Sequence, residues 1–381
     1  MPVHVHWFLP GSGDGRNIVG AGHRTERGDA GTRPPDLNYL TQIARAAESL
    51  GFEGVLTPTG TWSEDAWITT AALIQQTQRL TFLVALRPGL LSPTLAAQMA
   101  ASFQRLSGGR LALNVVTGGD TDEQRRFGDW LSHDDRYTRT AEFLAILRGA
   151  WSGTPYDHVG THYQVAGATV LTPPDPMPPV FFGGASSAAE RVAAAHADTY
   201  LAWGEPPPAL ARRIASVQAL SPARDLTFGV RLHVIARETA EAAWAVADDM
   251  LSRIDPVAVE AAQAQFARSE SVGQRRMAAL HGGDIAALTI YPNLWAGYGL
   301  VRGGAGTALV GSYAEIADRI AEYHDVGIDH FILSGHPHLE EAYWFGEGVM
   351  PILRERGLFS AARSPHPELS AAHPELVGVP A

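Results

Sequence analysis

The chain of 381 residues contains neither cysteine nor lysine, and its 29 basic residues are all arginine. Without cysteine, the protein has no disulfides, no thiolate nucleophile and no sulfur ligand for a metal. Without lysine, it has no Schiff base with a carbonyl substrate and no P-loop lysine. These absences exclude several common classes of enzyme before any motif is considered.

Clustered positive charge and long apolar runs are also lacking. The net charge is −11, and no run of arginines is longer than two. A nucleic-acid backbone would repel such a chain. The apolar runs stay well below the roughly 18 residues of a membrane span, and the N-terminus lacks the features of a signal peptide. We therefore expect a cytoplasmic protein that binds neither nucleic acid nor membrane.

Short apolar runs alternate with helical patterns along most of the chain. The predicted strands are Val3–Leu9, Gly54–Thr57, Leu80–Leu86, Leu111–Val116, Val180–Phe182, Thr199–Ala202, Phe228–Ile235 and His330–Leu333. The predicted helices between them are Tyr39–Leu50, Asp65–Gln76, Pro93–Leu106, Ser187–Ala195, Pro207–Gln218 and Tyr313–His324. Eight strand–helix units predict an α/β fold, a parallel (β/α)8 TIM barrel that spans residues 1–363 as one domain.

Three stretches interrupt this repeat. Residues 117–179 contain a predicted helix, Arg139–Trp151, and a hairpin-like H-V-G-T-H-Y segment. Residues 255–311 include a glycine-rich segment, and we expect them to form a mobile lid without regular structure. Residues 364–381, rich in Ser, Ala, Pro, His and Glu, form a predicted C-terminal tail, either extended or disordered.

The segment F-F-G-G-A-S-S, residues 181–187, ends one predicted strand and begins a helix. Its glycines allow close approach of the backbone, its serines donate hydrogen bonds, and a helix N-terminus favours an anion. The segment therefore suits a phosphate group. A Gly-Ser turn that holds no ligand is the alternative.

Arg231 and His233 lie within the apolar strand G-V-R-L-H-V-I, residues 229–235. Because side chains alternate along a strand, both point to the same face. A buried arginine needs an anion, so the alternatives are an internal salt bridge and a bound anionic ligand. His336 and His338 follow the last strand and add imidazole groups. Arginine beside histidine suits a tetrahedral oxyanion better than a metal, because metal sites include carboxylates and exclude a fixed cation.

His4 and His6 form an H-x-H motif like that of metal-dependent barrel hydrolases. They lie at the start of the first strand, whereas barrel active sites lie at the opposite end. We therefore predict no metal site there. Trp203, at the end of the sixth strand, is suited either to wall a flat ligand or to pack within the fold.

Ten segments spread over about residues 7–360 match the sequence pattern of one family. They include W-F-L-P-x-x-G-D-G, T-P-T-G-x-x-x-E-D-A-W, F-L-V-A-L-R-P-G, N-V-V-T-G-G-D, F-F-G-G-A-S-S, L-A-W-G-E-P-P, G-V-R-L-H-V-I and L-S-G-x-P-H-L-E-E-A, where x marks a position that does not count toward the match. By these segments the chain resembles the bacterial luciferase-like flavin monooxygenases, and among them the alkanesulfonate monooxygenases in particular. The match is far more specific than a shared barrel.

The resemblance implies a luciferase-like barrel and a two-component system. A separate NAD(P)H-dependent FMN reductase would supply reduced FMN (FMNH2), and the monooxygenase would use it with O2 to break a carbon–sulfur bond, releasing sulfite and an aldehyde. It also implies a homodimer or homotetramer.

The resemblance further implies the residues of the site. The sulfonate would be held by Trp203, Arg231, His233, Arg302 and His338, which with His336 are the candidate catalytic residues. Arg302 would lie on the lid. The flavin would be held by Asn114, His133, Tyr137, Ser186 and Ser187, with the two serines at its phosphate.

The chain departs from the alkanesulfonate pattern at positions that we expect to border the substrate. Ser12 replaces a histidine, Ser63 replaces a cysteine, Trp62 is new, and His336 replaces a tyrosine. An extra stretch at about residues 22–31 also lengthens the loop after the first strand. One reading is drift with a linear alkanesulfonate retained. Another is a hydroxylated sulfonate such as sulfoquinovose, for which Ser12, Trp62 and Ser63 would be substrate-binding residues. Methyl or substituted sulfonates and sulfones are a third.

Two other classes of enzyme compete with this interpretation. A deazaflavin (F420)-dependent or flavin-dependent oxidoreductase of the same barrel superfamily would transfer hydride and need no oxygen. A metal-dependent hydrolase would use His4 and His6 as ligands. The arginine and histidine set disfavours the first, and the position of the histidines disfavours the second.

Overall fold

The computed structural model describes residues 2–16, 18 and 33–359, which contain thirteen β-strands and thirteen α-helices. The strands are β1 (His4–Phe8), β2 (Gly54–Thr57), β3 (Thr81–Leu86), β4 (Leu111–Val116), β5 (Tyr156–Val159), β6 (Gln164–Ala168), β7 (Val180–Gly183), β8 (Thr199–Trp203), β9 (Thr227–Arg237), β10 (Thr289–Tyr291), β11 (Leu294–Trp295), β12 (Ala308–Ser312) and β13 (His330–Ser334). The helices are α1 (Leu37–Leu50), α2 (Ala66–Leu73), α3 (Pro93–Ser107), α4 (Thr121–Arg126), α5 (His133–Ala150), α6 (Ser187–His196), α7 (Pro207–Leu220), α8 (Ala240–Ser252), α9 (Pro256–Ala267), α10 (Val272–Ala279), α11 (Tyr313–Asp325), α12 (His338–Trp344) and α13 (Met350–Glu355).

Eight strands close into a parallel barrel in the order β1, β2, β3, β4, β7, β8, β9 and β13, with β13 paired to β1. This confirms the predicted (β/α)8 TIM barrel. Because side chains alternate along each strand, one set fills the barrel and the other packs under the helices. The apolar residues of the inner set are Phe8, Leu56, Leu83, Ala112, Phe181, Leu201 and Ile332.

Polar caps determine where the barrel helices begin. Asp36, Ser92 and Ser186 each accept a hydrogen bond from a backbone N–H in the first turn of α1, α3 and α6. Each cap satisfies an N–H that has no partner inside the helix and contributes about 1 kcal/mol. Ser186 thereby fixes the N-terminus of α6 directly after β7, at the C-terminal end of the barrel.

Strand β9 changes its partner halfway along its length. Residues 227–231 pair with β8, and residues 233–237 pair with β12 on the same edge, while β13 occupies the other edge over residues 229–233. The sheet therefore divides where β8 ends at Trp203 and β12 begins at Ala308. Arg231 and His233 lie at this division, facing the barrel interior.

The two insertions differ in how well the sequence predicted them. Residues 117–179 contain α4 as well as the predicted helix, which is α5, and the predicted hairpin, which is the antiparallel pair β5–β6. Residues 255–311 hold α9, α10, β10, β11 and most of β12. The expectation of a structureless lid there is therefore wrong. Leu288, Trp295 and Leu300 pack in one cluster with residues of α8, which stabilises the segment against the barrel.

Two stretches of the sequence prediction lie outside the described residues, namely the tail at 364–381 and the extra stretch at 22–31. The single-domain boundary at residue 363 and the mobility of the lid stay predictions. Within the ranges that the structure describes, none of the helices combines the length and apolar character needed to cross a membrane.

Candidate active site

A cleft of about 1390 Å³ opens at the C-terminal end of the barrel. Its lining includes Phe8, Val116, Gly183 and Trp203, each the last residue of its strand. Helices α4, α9 and α10 of the two insertions form the remaining walls. Because TIM-barrel enzymes carry their active sites at this end, the cleft is the candidate active site.

Arg231 lies in the cleft, and its guanidinium has only neutral partners. Nη2 donates to Ser334 Oγ at 2.7 Å, and Nη1 donates to the Leu232 carbonyl at 2.5 Å. The guanidinium carbon lies 4.6 Å from the centroid of the Phe8 ring, a cation–π contact. These contacts fix the direction of the side chain without neutralising its charge.

His233 is fully buried beside Arg231 and is held on both ring nitrogens. Nε2 lies 3.1 Å from the Ala305 carbonyl, and Nδ1 lies 2.8 Å from Ser334 Oγ. Because a carbonyl only accepts, Nε2 carries the proton and Nδ1 accepts from the Ser334 hydroxyl. Burial, with Arg302 and Arg231 nearby, lowers the pKa of His233 well below its ordinary value of 6.5. The imidazole is therefore neutral at pH 7.

Arg302 is buried in the loop between β11 and β12 and meets a second neutral imidazole. Its Nη1 lies 3.2 Å from His336 Nε2. Since arginine only donates, His336 accepts at Nε2 and donates from Nδ1 to the Tyr298 hydroxyl at 3.3 Å. The Tyr298 ring stacks on His233 with centroids 4.1 Å apart. His336 thus holds Arg302 and is not among the residues that line the cleft, and its expected contact with the substrate stays a prediction.

Arg231 and Arg302 differ from Arg213 of the same lining in having no carboxylate partner among the described residues. In the part of the chain that the structure describes, neither Arg231 nor Arg302 has a carboxylate oxygen within 4.0 Å, whereas Arg213 pairs with Glu205 at 2.5 Å. Burial and the proximity of Arg302 lower the pKa of Arg231 well below its ordinary value. Of the two alternatives that the sequence left open, the geometry favours a bound anion over an internal salt bridge.

His338 is held outside the cleft by Asp14. Its Nδ1 lies 2.9 Å from Asp14 Oδ1, and its backbone N–H donates to Oδ2 at 2.7 Å. Its Nε2 is buried and has no hydrogen-bond partner among the residues described. The ring packs 4.8 Å from that of His336. His338 is absent from the lining and packs on the imidazole that holds Arg302, and its contact with a sulfonate stays a prediction.

The predicted flavin-binding residues lie together on another part of the lining, with one exception. The four that line the cleft are Asn114, His133, Tyr137 and Ser186. Ser187 is exposed at the first position of α6 and does not line it. A Cβ on Gly184 would lie 2.5 Å from the Ala189 side chain, so this close turn requires glycine. The glycine backbone, the hydroxyls and the α6 N-terminus form a cradle that fits a phosphate.

Some of the residues that the sequence assigned to substrate binding line the cleft, and others do not. Trp203 and Trp62 line the cleft. Ser12 and Ser63 do not, and the Ser63 hydroxyl donates to the Glu64 carbonyl at 3.0 Å. Of the four substitutions expected to border the pocket, only Trp62 is therefore among the lining residues, and the roles of all four in substrate binding stay predictions.

The His4–His6 motif lies at the N-terminal end of the barrel, as the sequence predicted. His4 Nδ1 bonds to Glu53 at 2.8 Å, and His6 Nε2 lies 3.2 Å from His330 Nδ1. Burial lowers the pKa of His6 to about 4. Over the described ranges, no group of three or more His, Asp or Glu side chains is arranged to hold a metal.

Three residues of the site were missed by the sequence analysis. Ser334 could have been found, because strand alternation puts it on the same face of β13 as Ile332. Tyr298 stands in a glycine-rich segment whose sequence has no periodic signal. Arg87 is buried in the cleft lining and pairs with Glu123 at 2.6 Å, which marks it as a structural arginine.

Comparison with known proteins identifies the family. Residues 4–330 match the model of the luciferase-like monooxygenases, so the chain belongs to that family. This confirms the luciferase-like barrel that the sequence predicted.

Solved structures of several activities share the fold at low sequence identity. A riboflavin lyase, solved with modified FMN and riboflavin, has a TM-score of 0.79 and 22% identity over 95% of this chain and 93% of that one. EDTA monooxygenase from Chelativorans sp. BNC1 has a TM-score of 0.76 and 22% identity over 96% and 97%. An F420-dependent secondary alcohol dehydrogenase has a TM-score of 0.66 and 17% identity over 93% and 100%. Because these activities differ, the fold alone does not assign the substrate.

Proposed function

We propose that this protein is the oxygenase of a two-component flavin-dependent system that desulfonates an organosulfonate. The observation that carries the proposal is the pair Arg231 and Arg302, which line the cleft without a carboxylate partner in the described ranges. Two cations in such a site require an anion that remains charged when water is excluded. A sulfonate meets this requirement, because it is ionised at pH 7 and offers three equivalent oxygens.

The donors of the two arginines suit a sulfonate in number and strength. Each charge-assisted hydrogen bond to an ionised group contributes roughly 1.5–3 kcal/mol. His233 adds no donor to the cleft while its Nε2–H holds the Ala305 carbonyl. Its role in the proposed site is therefore to fix the segment that carries Arg302, together with the stack on Tyr298.

FMN would bind where β7 and the N-terminus of α6 line the cleft. Ser186, Gly184 and the N-terminus of α6 would hold the phosphate, and Tyr137 and Asn114 would border the flavin. Reduced flavin supplies the two electrons with which O2 is activated, and a separate FMN reductase would deliver it. The protein's own contribution is to orient the sulfonate and to exclude water by closing residues 297–305 over the cleft.

The overall reaction balances with these components. A sulfonate R–CH2–SO3⁻ reacts with O2 and reduced FMN to give the aldehyde R–CHO, sulfite, oxidised FMN, water and a proton. The carbon next to sulfur is oxidised, the C–S bond breaks, and sulfite leaves with the bonding electrons of sulfur. The half-buried Arg231 and the buried Arg302 would stabilise the departing sulfite, whose negative charge is greater than that of the sulfonate.

The substrate is either a linear alkanesulfonate or a hydroxylated sulfonate such as sulfoquinovose. Of the four substitutions that suggested a sugar, only Trp62 lines the cleft, and Phe8, Leu56 and Ile332 add apolar lining. This lining supports an alkyl or flat apolar group more than a polyol. Methyl or substituted sulfonates and sulfones also belong in the test panel.

The test is sulfite release in the presence of an FMN reductase, NADH and O2. We expect sulfite to be released from octanesulfonate when O2 is present. When O2 is removed, we expect no sulfite from any sulfonate. Sulfoquinovose is assayed in parallel, and sulfite from the sugar alone would reverse the preference for an alkyl substrate. Hydride transfer from reduced F420 or flavin to a substrate without O2, and no sulfite from any sulfonate, would overturn the proposal in favour of an oxidoreductase. Gel filtration with light scattering tests the expected homodimer or homotetramer.

A further inference from the structure

A line of directed hydrogen bonds joins the two strands and the loop that carry the arginines. It runs from Arg231 Nη2 to Ser334 Oγ at 2.7 Å, then to His233 Nδ1 at 2.8 Å, and from His233 Nε2 to the Ala305 carbonyl at 3.1 Å. The guanidinium only donates and the carbonyl only accepts, so every proton in the line has one assigned place. The Ser334 hydroxyl accepts from Arg231 and donates to His233.

We propose that Ser334 is a positioning residue that couples Arg231 to the loop bearing Arg302. The proposal deepens the function proposed above and rests on it for the identity of the anion. Ser334 holds Arg231 directly, and its hydroxyl supplies the donor that the Nε2–H tautomer of His233 accepts at Nδ1. Only that tautomer donates to the Ala305 carbonyl, three residues along the chain from Arg302. The Ser334 hydroxyl therefore orients Arg231 and, through His233, stabilises the loop that carries Arg302.

The hydroxyl of Ser334 is buried where water does not replace it. Its side chain and that of His233 are both 0% exposed, so bulk water does not replace the hydroxyl. The register of β13 against β9 places Ser334 opposite His233 and Ile332 opposite Arg231. Without the hydroxyl, His233 Nδ1 loses the donor from which it accepts, and the alternative Nδ1–H tautomer becomes accessible. That tautomer has no proton for Ala305.

The first test measures the tautomer and needs no substrate. In selectively 15N-His-labelled protein, the resonances of His233 are assigned by their loss in His233→Gln. We expect one Nε2–H tautomer in the wild type and a mixture of tautomers, or a shifted Nδ1 resonance, in Ser334→Ala. Ser107→Ala is the matched control, because Ser107 is also buried but hydrogen-bonds within and after α3, away from the cleft.

The second test measures anion binding by calorimetry with sodium methanesulfonate. Loss of a hydrogen bond that directs a charged donor predicts a dissociation constant about 10-fold higher in Ser334→Ala, and a similar rise in KM for the substrate with a smaller change in kcat. Ser334→Thr retains the hydroxyl and is expected to restore both the tautomer and the affinity. It also keeps the proposal testable if the alanine variant does not fold.

The outcomes separate the two proposals. An unchanged His233 tautomer in Ser334→Ala, with unchanged methanesulfonate affinity, overturns the role of Ser334. A wild-type protein that releases no sulfite and binds no methanesulfonate overturns the proposed function, while the tautomer measurement still decides whether Ser334 positions His233. If Ser107→Ala changes the tautomer as much as Ser334→Ala, the effect is general destabilisation and the coupling is refuted.

Discussion

Replacing Arg302 by methionine should leave the free protein as stable as before, or more stable, while removing its response to a sulfonate. Arg302 is buried, and among the residues that the structure describes its side chain hydrogen-bonds to the neutral His336. Arg237, in contrast, donates through both terminal nitrogens to Glu341, which is 1% exposed. The two variants Arg302→Met and Arg237→Met thus compare an arginine that awaits a ligand with one that is already paired.

The two variants are expected to change the free energy of unfolding in opposite directions. Methionine at position 302 removes the desolvation cost of an unpaired cation and loses one hydrogen bond, so the free energy of unfolding stays constant or rises by about 1–2 kcal/mol. Arg237→Met leaves the buried carboxylate of Glu341 without its partner and lowers the free energy of unfolding by about 3–5 kcal/mol. An unfolding entropy of about 2.1 cal/mol/K per residue converts these values, over 381 residues, into Tm changes of about +1 to +2 °C and about −4 to −6 °C.

Differential scanning calorimetry with and without octanesulfonate checks both halves of this prediction. At a ligand concentration of 100 times Kd, binding stabilises the wild type by about 2.7 kcal/mol, or about 3 °C. Arg302→Met should show less than a third of that shift, whereas Arg237→Met should retain it on a lower baseline. A Tm for Arg302→Met as low as that of Arg237→Met would refute the reasoning, because it would mean that Arg302 already has a structural counter-charge.

Three further predictions concern other parts of the structure. Gly184→Ala puts a Cβ 2.5 Å from the Ala189 side chain and should weaken FMN binding about 10-fold or more, measured by quenching of flavin fluorescence. His6 has a pKa of about 4 in the folded protein against 6.5 unfolded, so below pH 6.5 only the unfolded chain takes up the proton. The free energy of unfolding should therefore fall by about 2 kcal/mol from pH 7 to pH 5, and His6→Gln should remove that part of the fall in urea titrations. Asp14→Asn should lower Tm by about 2–4 °C, because the buried carboxylate accepts from both His338 and Tyr39.

The barrel could be predicted from the sequence because its elements are defined locally. Gly54–Thr57 and Leu111–Val116 begin and end at the predicted residues, since each is an apolar run bounded by polar or glycine residues. The predicted helix starts at Pro93 and Ser187 are also observed, each following a serine cap. Periodicity and capping are properties of a few neighbouring residues, so one sequence suffices to read them.

The site was predicted in its residue types but not in its arrangement. Arg231, Arg302 and Trp203 line the cleft as expected, yet His336 and His338 lie behind it. The difference depends on contacts between residues far apart in the chain, such as that of His338 with Asp14, which no local pattern reveals. The secondary structure of the insertion at residues 255–311 was not predicted for the same reason. Its strands are stabilised by packing on α8 and pairing with β9.

The distribution of charge is consistent with the proposed anion site in the cleft. The chain carries a net charge of −11, yet seven arginines and five carboxylates line the cleft, which is therefore positive while the rest of the molecule is strongly negative. Such a surface repels anions except at the barrel mouth, where the field is focused between walls of low dielectric. Arginines such as Arg87 and Arg213 are neutralised by Glu123 and Glu205. Arg231 and Arg302 have no such partner among the described residues, and hydrogen bonds to Ser334 and His336 hold their guanidinium groups at the cleft.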